Sequence, residues 1–109
     1  MLNLKEKERA YLDALEETCK KYEMDDYYSI GIPREKHISI CKRDKIWEVF
    51  IVEKGREYAK TSHKECIDAC IQVLNHCSYN IEEFELATNE FKNILLKNKQ
   101  NKLLKKCKL

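Results

Sequence analysis

His63, Cys66 and Cys70 recur at i, i+3 and i+7, the spacing that puts three side chains on one face of a helix. Imidazole and thiolate are zinc ligands, and a thiol beside an imidazole is also the pairing of a cysteine nucleophile with its base. Neither chemistry is completed here. A tetrahedral zinc site takes four ligands, usually in short paired motifs, and no CxxC occurs in the chain. A reactive thiolate needs a partly exposed, electropositive setting and an oxyanion stabiliser, whereas these cysteines fall in the most apolar helical segment, "HKECIDACIQVL". His76 and Cys77 are adjacent, and adjacent helical residues do not face each other. Acidic residues are plentiful, yet none stands in an apolar run that would raise its pKa. Gly31 and Gly55, the only two glycines, are too isolated to build a phosphate loop. The residue types and spacings therefore predict no catalytic centre, no metal site and no cofactor.

Charge points elsewhere. The net charge of +2 is too small for a general nucleic-acid binder, but it is unevenly spread. Glu6, Glu8, Asp13, Glu16, Glu17, Glu23, Asp25 and Asp26 make the first quarter acidic, and Lys97, Lys99, Lys102, Lys105, Lys106 and Lys108 make the end basic. In "EMDDYY", Glu23, Asp25 and Asp26 flank Tyr27 and Tyr28, combining the charge that steers encounter with the aromatics that anchor interfaces. Glu82, Glu83 and Glu85 form a second acidic group. These eight residues are the candidate partner-binding positions. The lysine-rich end has no arginine or aromatic residue for base readout or stacking, which leaves phosphate contact as its one route to nucleic acid.

The elements that must position these residues are legible in the hydrophobic period. Leu4, Tyr11, Leu15, Cys19 and Tyr22 predict an amphipathic helix over about 3–23. Tyr28, Ile30 and Ile32 alternate as a strand ended by Pro33, and Ile38 and Ile40 begin a second. "IWEVFIVE" is apolar on both faces except at Glu48 and reads as the central strand. Gly55 supplies a turn, and "REYAKT" returns as a shorter edge strand. Trp47, the only tryptophan, is then a core anchor or an exposed anchor for a partner. Ser62 with Glu65, and Asn80 with Glu83, fit the helix capping pattern. They predict helices over about 63–77 and from 81 onward, the latter with Ile81, Phe84, Ala87, Phe91, Ile94 and Leu95 facing inward. The expected fold is a single α+β domain over 1–109. It comprises an N-terminal helix, a four-stranded antiparallel meander and two C-terminal helices packed on the sheet, with 97–109 as a basic helical extension. No signal segment or membrane-length apolar run is evident, so the expected location is cytoplasmic and the six cysteines are expected to be free thiols.

"IWEVFIVEKG" followed by "HKECIDACIQVL" resembles small bacterial immunity proteins of polymorphic toxin systems, the immunity protein 59 family among them. The matching positions are Trp47, Val49, Glu53, Lys54, Gly55, Glu65, Ala69, Cys70 and Leu74, within about 30 residues. The pattern departs at Thr61, Ser62 and His63, where such sequences often carry an aromatic, and in the basic extension; no functional site is carried over. The resemblance implies a non-enzymatic inhibitor that binds one cognate toxin domain, in many such systems a basic nuclease. Two other classes compete with it: a nucleic-acid-associated protein using the lysine-rich end, and an adaptor that oligomerises through its last helix.

Overall fold

The computed structural model describes residues 4–107, with side chains through Asn101. The chain runs α1 (Glu6–Lys21), β1 (Tyr28–Ile30), β2 (Ile38–Arg43), β3 (Ile46–Glu53), β4 (Arg56–His63), α2 (Cys66–Cys77) and α3 (Ile81–Cys107). The class is α+β, and one sheet orders its strands β1-β2-β3-β4. Both central hairpins turn on two residues at positive φ, Asp44–Lys45 and Lys54–Gly55, the geometry whose twist matches antiparallel strands.

The sheet is mixed, not the antiparallel meander expected. β1 pairs parallel with β2, Tyr28 opposite Ile38 and Ile30 opposite Ile40. The reason lies in residues 31–37. Gly31, at φ 83°, turns the chain out of β1 while its N–H donates to the Ile40 carbonyl at 2.8 Å. The Arg34 N–H then donates to the Ser39 hydroxyl at 3.1 Å. Ser39 lies opposite Phe50 on the sheet face away from the helices, so the segment doubles back across that face. Glu35 fastens it there, its carboxylate accepting the N–H groups of Lys54 and Gly55 in the β3–β4 turn. β1 ends at Ile30, before Ile32 and Pro33 where the alternation placed its end, and a crossover follows where a hairpin is expected.

β3 is central, as its two apolar faces require. Trp47 is 1% exposed and packs with Ile40, Val49 and residues of all three helices. Phe50 and Val52 point the other way and form a smaller cluster with Cys41. β4 is the edge strand, but it is as long as β3 and contains a bulge where Ala59 takes φ 52°. This length overturns the predicted Ser62–Glu65 cap. Ser62 pairs across from Glu48 in the ladder, and α2 starts only at Cys66, with no side-chain hydrogen bond from Glu65. The Asn80 cap forms: Asn80 Oδ1 accepts the Glu83 N–H at 2.8 Å. The Glu83 carboxylate reaches one residue further back than a capping box requires, accepting the Tyr79 N–H at 2.8 Å.

α2 lies directly against β2, β3 and β4, while α3 packs chiefly on α1 and α2 in a further layer. On α3, Ala87, Phe91 and Ile94 are buried, whereas Ile81, expected inside, is 72% exposed in the first turn. Beyond Leu95 the helix leaves the core: Leu96, Lys97 and Lys99 are exposed, and the rest of the predicted basic extension lies outside the described side chains. No described helix is long and apolar enough to cross a membrane.

Candidate functional site: a tyrosine-lined groove

The predicted site residues converge in part, and the convergence begins at the end of α1. The Glu23 N–H donates to the Lys20 carbonyl at 3.3 Å and the Met24 N–H to the Cys19 carbonyl at 2.7 Å. This is the Schellman arrangement, which demands a left-handed residue at the Glu23 position; Glu23 takes φ 57° where glycine is favoured. Met24 is buried just behind it and locks the turn. Asp25 and Asp26 remain exposed on the turn, and Tyr27, 60% exposed, swings out after donating its N–H to the Met24 carbonyl. Tyr28, by contrast, is half-buried on β1 and packs against the core, and burial raises the pKa of its hydroxyl.

The α2–α3 link faces this turn. Tyr79 is 92% exposed, held by the hydrogen bond from its N–H to Glu83. Between the two segments lies a groove of about 690 Å³, walled by Tyr22, Glu23, Tyr27, Tyr79 and Glu83, with Lys36, His37 and His76 at its sides and Met24, Ile38 and Ile51 among its apolar lining. The groove thus unites Glu23 and Tyr27 from one predicted patch with Glu83 from the other. Glu82 and Glu85 stand exposed on α3 and do not line it. Sequence reading missed Tyr22, Tyr79 and the two histidines. Tyr79 had a detectable signal, an aromatic in the three-residue α2–α3 link, where no core position was available.

Electrostatically the groove is the negative end of the helix pair. Cys66 Sγ lies 3.9 Å from the Glu8 carbonyl near the start of α1, and Cys77 at the end of α2 lines the same groove as Tyr22 at the end of α1. α1 and α2 therefore run side by side in the same direction, and both C-termini, the negative ends of the helix dipoles, close on the groove beside Glu23 and Glu83. Burial lowers the pKa of His76, disfavouring the charged form of the ring.

The cysteines and histidines separate rather than assemble. His63 ends β4, its Nε2 2.9 Å from the Thr61 hydroxyl, so it shares no helical face with Cys66 and Cys70. The Cys66 and Cys70 sulfurs approach to 4.0 Å inside the core. The Cys66 contact and burial together push the Cys70 thiol well up, and burial raises Cys19 to about 12 and Cys77 to about 11. The five cysteines with described side chains carry free thiols, and no three His, Cys, Asp or Glu among the described residues are grouped to hold a metal ion.

One partly buried carboxylate escaped the sequence reading. Glu8 accepts from Lys42 Nζ at 2.9 Å, from Trp47 Nε1 at 2.7 Å and from the Lys5 N–H at 3.0 Å, fastening the first turn of α1 to the sheet. Burial pushes its pKa up, but these donors outweigh burial and bring it down to about 2. Such a carboxylate is a fixed anion and a poor base. Comparison with known protein families, with curated proteins and with solved structures returns no match.

Proposed function

We propose that the chain is a protein-binding inhibitor that neutralises a cognate toxin domain inside the cell that makes it, by stoichiometric occlusion and not by catalysis. The observation that carries this reading is the convergence of Glu23, Tyr27, Tyr79 and Glu83 on one groove from segments about 55 residues apart in sequence. Exposed tyrosines over an apolar floor provide anchor area at low entropic cost, and carboxylates with helix C-termini around them favour a basic partner. The resemblance of residues 46–74 to immunity proteins supplies the toxin as that partner. The raised thiol pKa values and the ion-paired Glu8 favour binding over chemistry.

The test uses the purified chain as bait at about 0.5 M salt, where weak electrostatic passengers are screened away. The domain retained is assayed for its own activity against increasing amounts of chain. Activity should vanish at one equivalent, and Tyr27→Ala with Tyr79→Ala should weaken the complex by about 100-fold, the loss of two anchor residues. Retained proteins whose activities ignore the chain, or a double variant that binds as tightly, would defeat the proposal. Glu23→Gly gives a second reading of the same surface. Glycine relieves the left-handed residue and should raise stability by about 0.5–1 kcal/mol. Loss of the carboxylate should at the same time slow association with a basic partner. Opposite signs in a thermal melt and a binding-rate measurement mark Glu23 as a residue kept for contact at a cost in stability.

A further inference from the structure

The other end of the same helix pair has the opposite character. A cleft of about 850 Å³ opens between the start of α1, the β2–β3 turn and the β4–α2 connection. Lys5 and Lys7 come from α1's start, Lys45 from the turn, where φ 70° turns the backbone left-handed, and Lys64 from the connection. Lys42 also lines the cleft, but its charge is spent on Glu8. The other four lysines make no ion pair among the described residues, and only Asp44 and Glu65 remain to oppose them in the lining. Four ammonium groups from three separate segments face one concavity with a surplus of positive charge. Repulsion among them is relieved by a multivalent anion. The positive ends of α1 and α2 add to the same field.

We propose that this cleft binds a small polyphosphate anion. Lys7, Lys45 and Lys64 hold its oxygens from three sides. The Glu8–Lys42–Trp47 cluster forms the rigid wall behind them and stays intact, because Glu8 already satisfies Lys42 and the indole N–H. Lys7 sits 5.9 Å from the centre of the Tyr11 ring, so the cleft also offers an aromatic face beside its cations. A volume near 850 Å³ accommodates a triphosphate with or without a nucleoside. The proposal concerns the end of the molecule away from the tyrosine groove and does not depend on what the groove binds.

Calorimetric titration of the full chain with inorganic tripolyphosphate and, separately, with ATP, at about 20 mM salt where screening is weak, is the test. Saturable binding is expected, weakened by about 100-fold in the triple variant Lys7→Gln, Lys45→Gln, Lys64→Gln, since each charge-assisted hydrogen bond carries a substantial share. These lysines are exposed and make no ion pair among the described residues, so the variant should fold, which its circular dichroism checks. Lys97→Gln with Lys99→Gln, outside the cleft, should leave binding unchanged. Equal affinity for the two anions identifies the phosphate chain as the whole determinant. A preference for ATP of about tenfold or more assigns the nucleoside a place on Tyr11. Both support the cleft. No heat with either anion at millimolar concentration overturns it. So does equal binding by the triple variant, an equal loss in the Lys97/Lys99 variant, or binding of a single-stranded oligonucleotide without tripolyphosphate.

Discussion

Glu8 and Glu57 are two glutamates whose pKa values both fall to about 2, on opposite sides of one sheet. Glu8 lies on the helix side, its side chain 12% exposed, tied to Lys42, Trp47 and the Lys5 amide. Glu57 lies on the outer side, 28% exposed, gripped in bidentate fashion by Arg43 at 2.9 and 2.7 Å and by Lys60 at 2.8 Å. The residues beneath them differ in the same way. Trp47 is enclosed by helices, whereas Phe50 is roofed by cations, the Arg43 guanidinium 4.7 Å and the Lys60 ammonium 5.5 Å from the centre of its ring. Equal pKa values do not mean equal worth. A mostly buried carboxylate leaves its partner stranded when it is removed, whereas water and salt stand in for an exposed one.

The largest effect follows from that difference. Glu8→Gln should destabilise the fold by about 3 kcal/mol, because Lys42 is left charged and largely buried. Urea unfolding checks this, and replacing both partners by methionine should recover much of the loss. The pH dependence follows in sign. Glu8 has a folded pKa of about 2, against about 4.3 for an unfolded glutamate. Its contribution is therefore complete above the unfolded value and drains away as the pH falls toward the folded one. Stability of the wild-type chain should drop through that window, and the Glu8→Gln chain should show a shallower decline. If the two profiles run parallel, Glu8 is no better than a surface charge and the comparison fails.

How much of this was legible in the sequence depends on the range of the interaction. A run apolar on both faces placed β3, and the wide apolar surface of "HKECIDACIQVL" placed α2 against the sheet, because burial of neighbouring side chains writes itself into local sequence. The Asn80 cap was readable for the same reason. Glu8 was not, since its partners lie 34 and 39 residues away and nothing near it in sequence is apolar enough to mark burial. The parallel β1 was hidden because Glu35, which fastens the crossover, acts 19 and 20 residues ahead on the amides of a turn. Ser62–Glu65 looked like a cap by every local rule and lost to a ladder partner, Glu48. The groove was half legible: acids and tyrosines stood out by composition, but only the shared direction of α1 and α2 brings Glu23 and Glu83 to one end.

Arg43→Ala tests the roof over Phe50. The substitution removes the guanidinium from the ring, its fork on Glu57 and its 3.3 Å contact with Glu48. A loss of about 1.5 kcal/mol is expected, partly from the cation–ring contact and partly from the apolar stem that shields Phe50 and Cys41. Denaturant unfolding measures it, and Arg43→Met separates the two parts by keeping a stem without the charge. Recovery of most of the loss by methionine assigns the role to cover; none assigns it to charge.

The smallest effect is the sharpest test of the comparison. Glu57→Gln should cost only about 0.5 kcal/mol, although its pKa is depressed as far as that of Glu8. Arg43 and Lys60 would both retain Glu48, at 3.3 and 3.7 Å, and the water that reaches the edge strand would take the place of the lost carboxylate. Raising the salt to about 0.5 M should shrink even that difference, since the Debye length then approaches the spacing of the charges. The same salt should leave the cost of Glu8→Gln nearly unchanged, because Lys42 and its carboxylate partner are largely out of reach of mobile ions. If salt erases both differences alike, burial is not what distinguishes the two faces. If it erases only the outer one, the energetic asymmetry of the sheet belongs to α1, which supplies Glu8 and covers it.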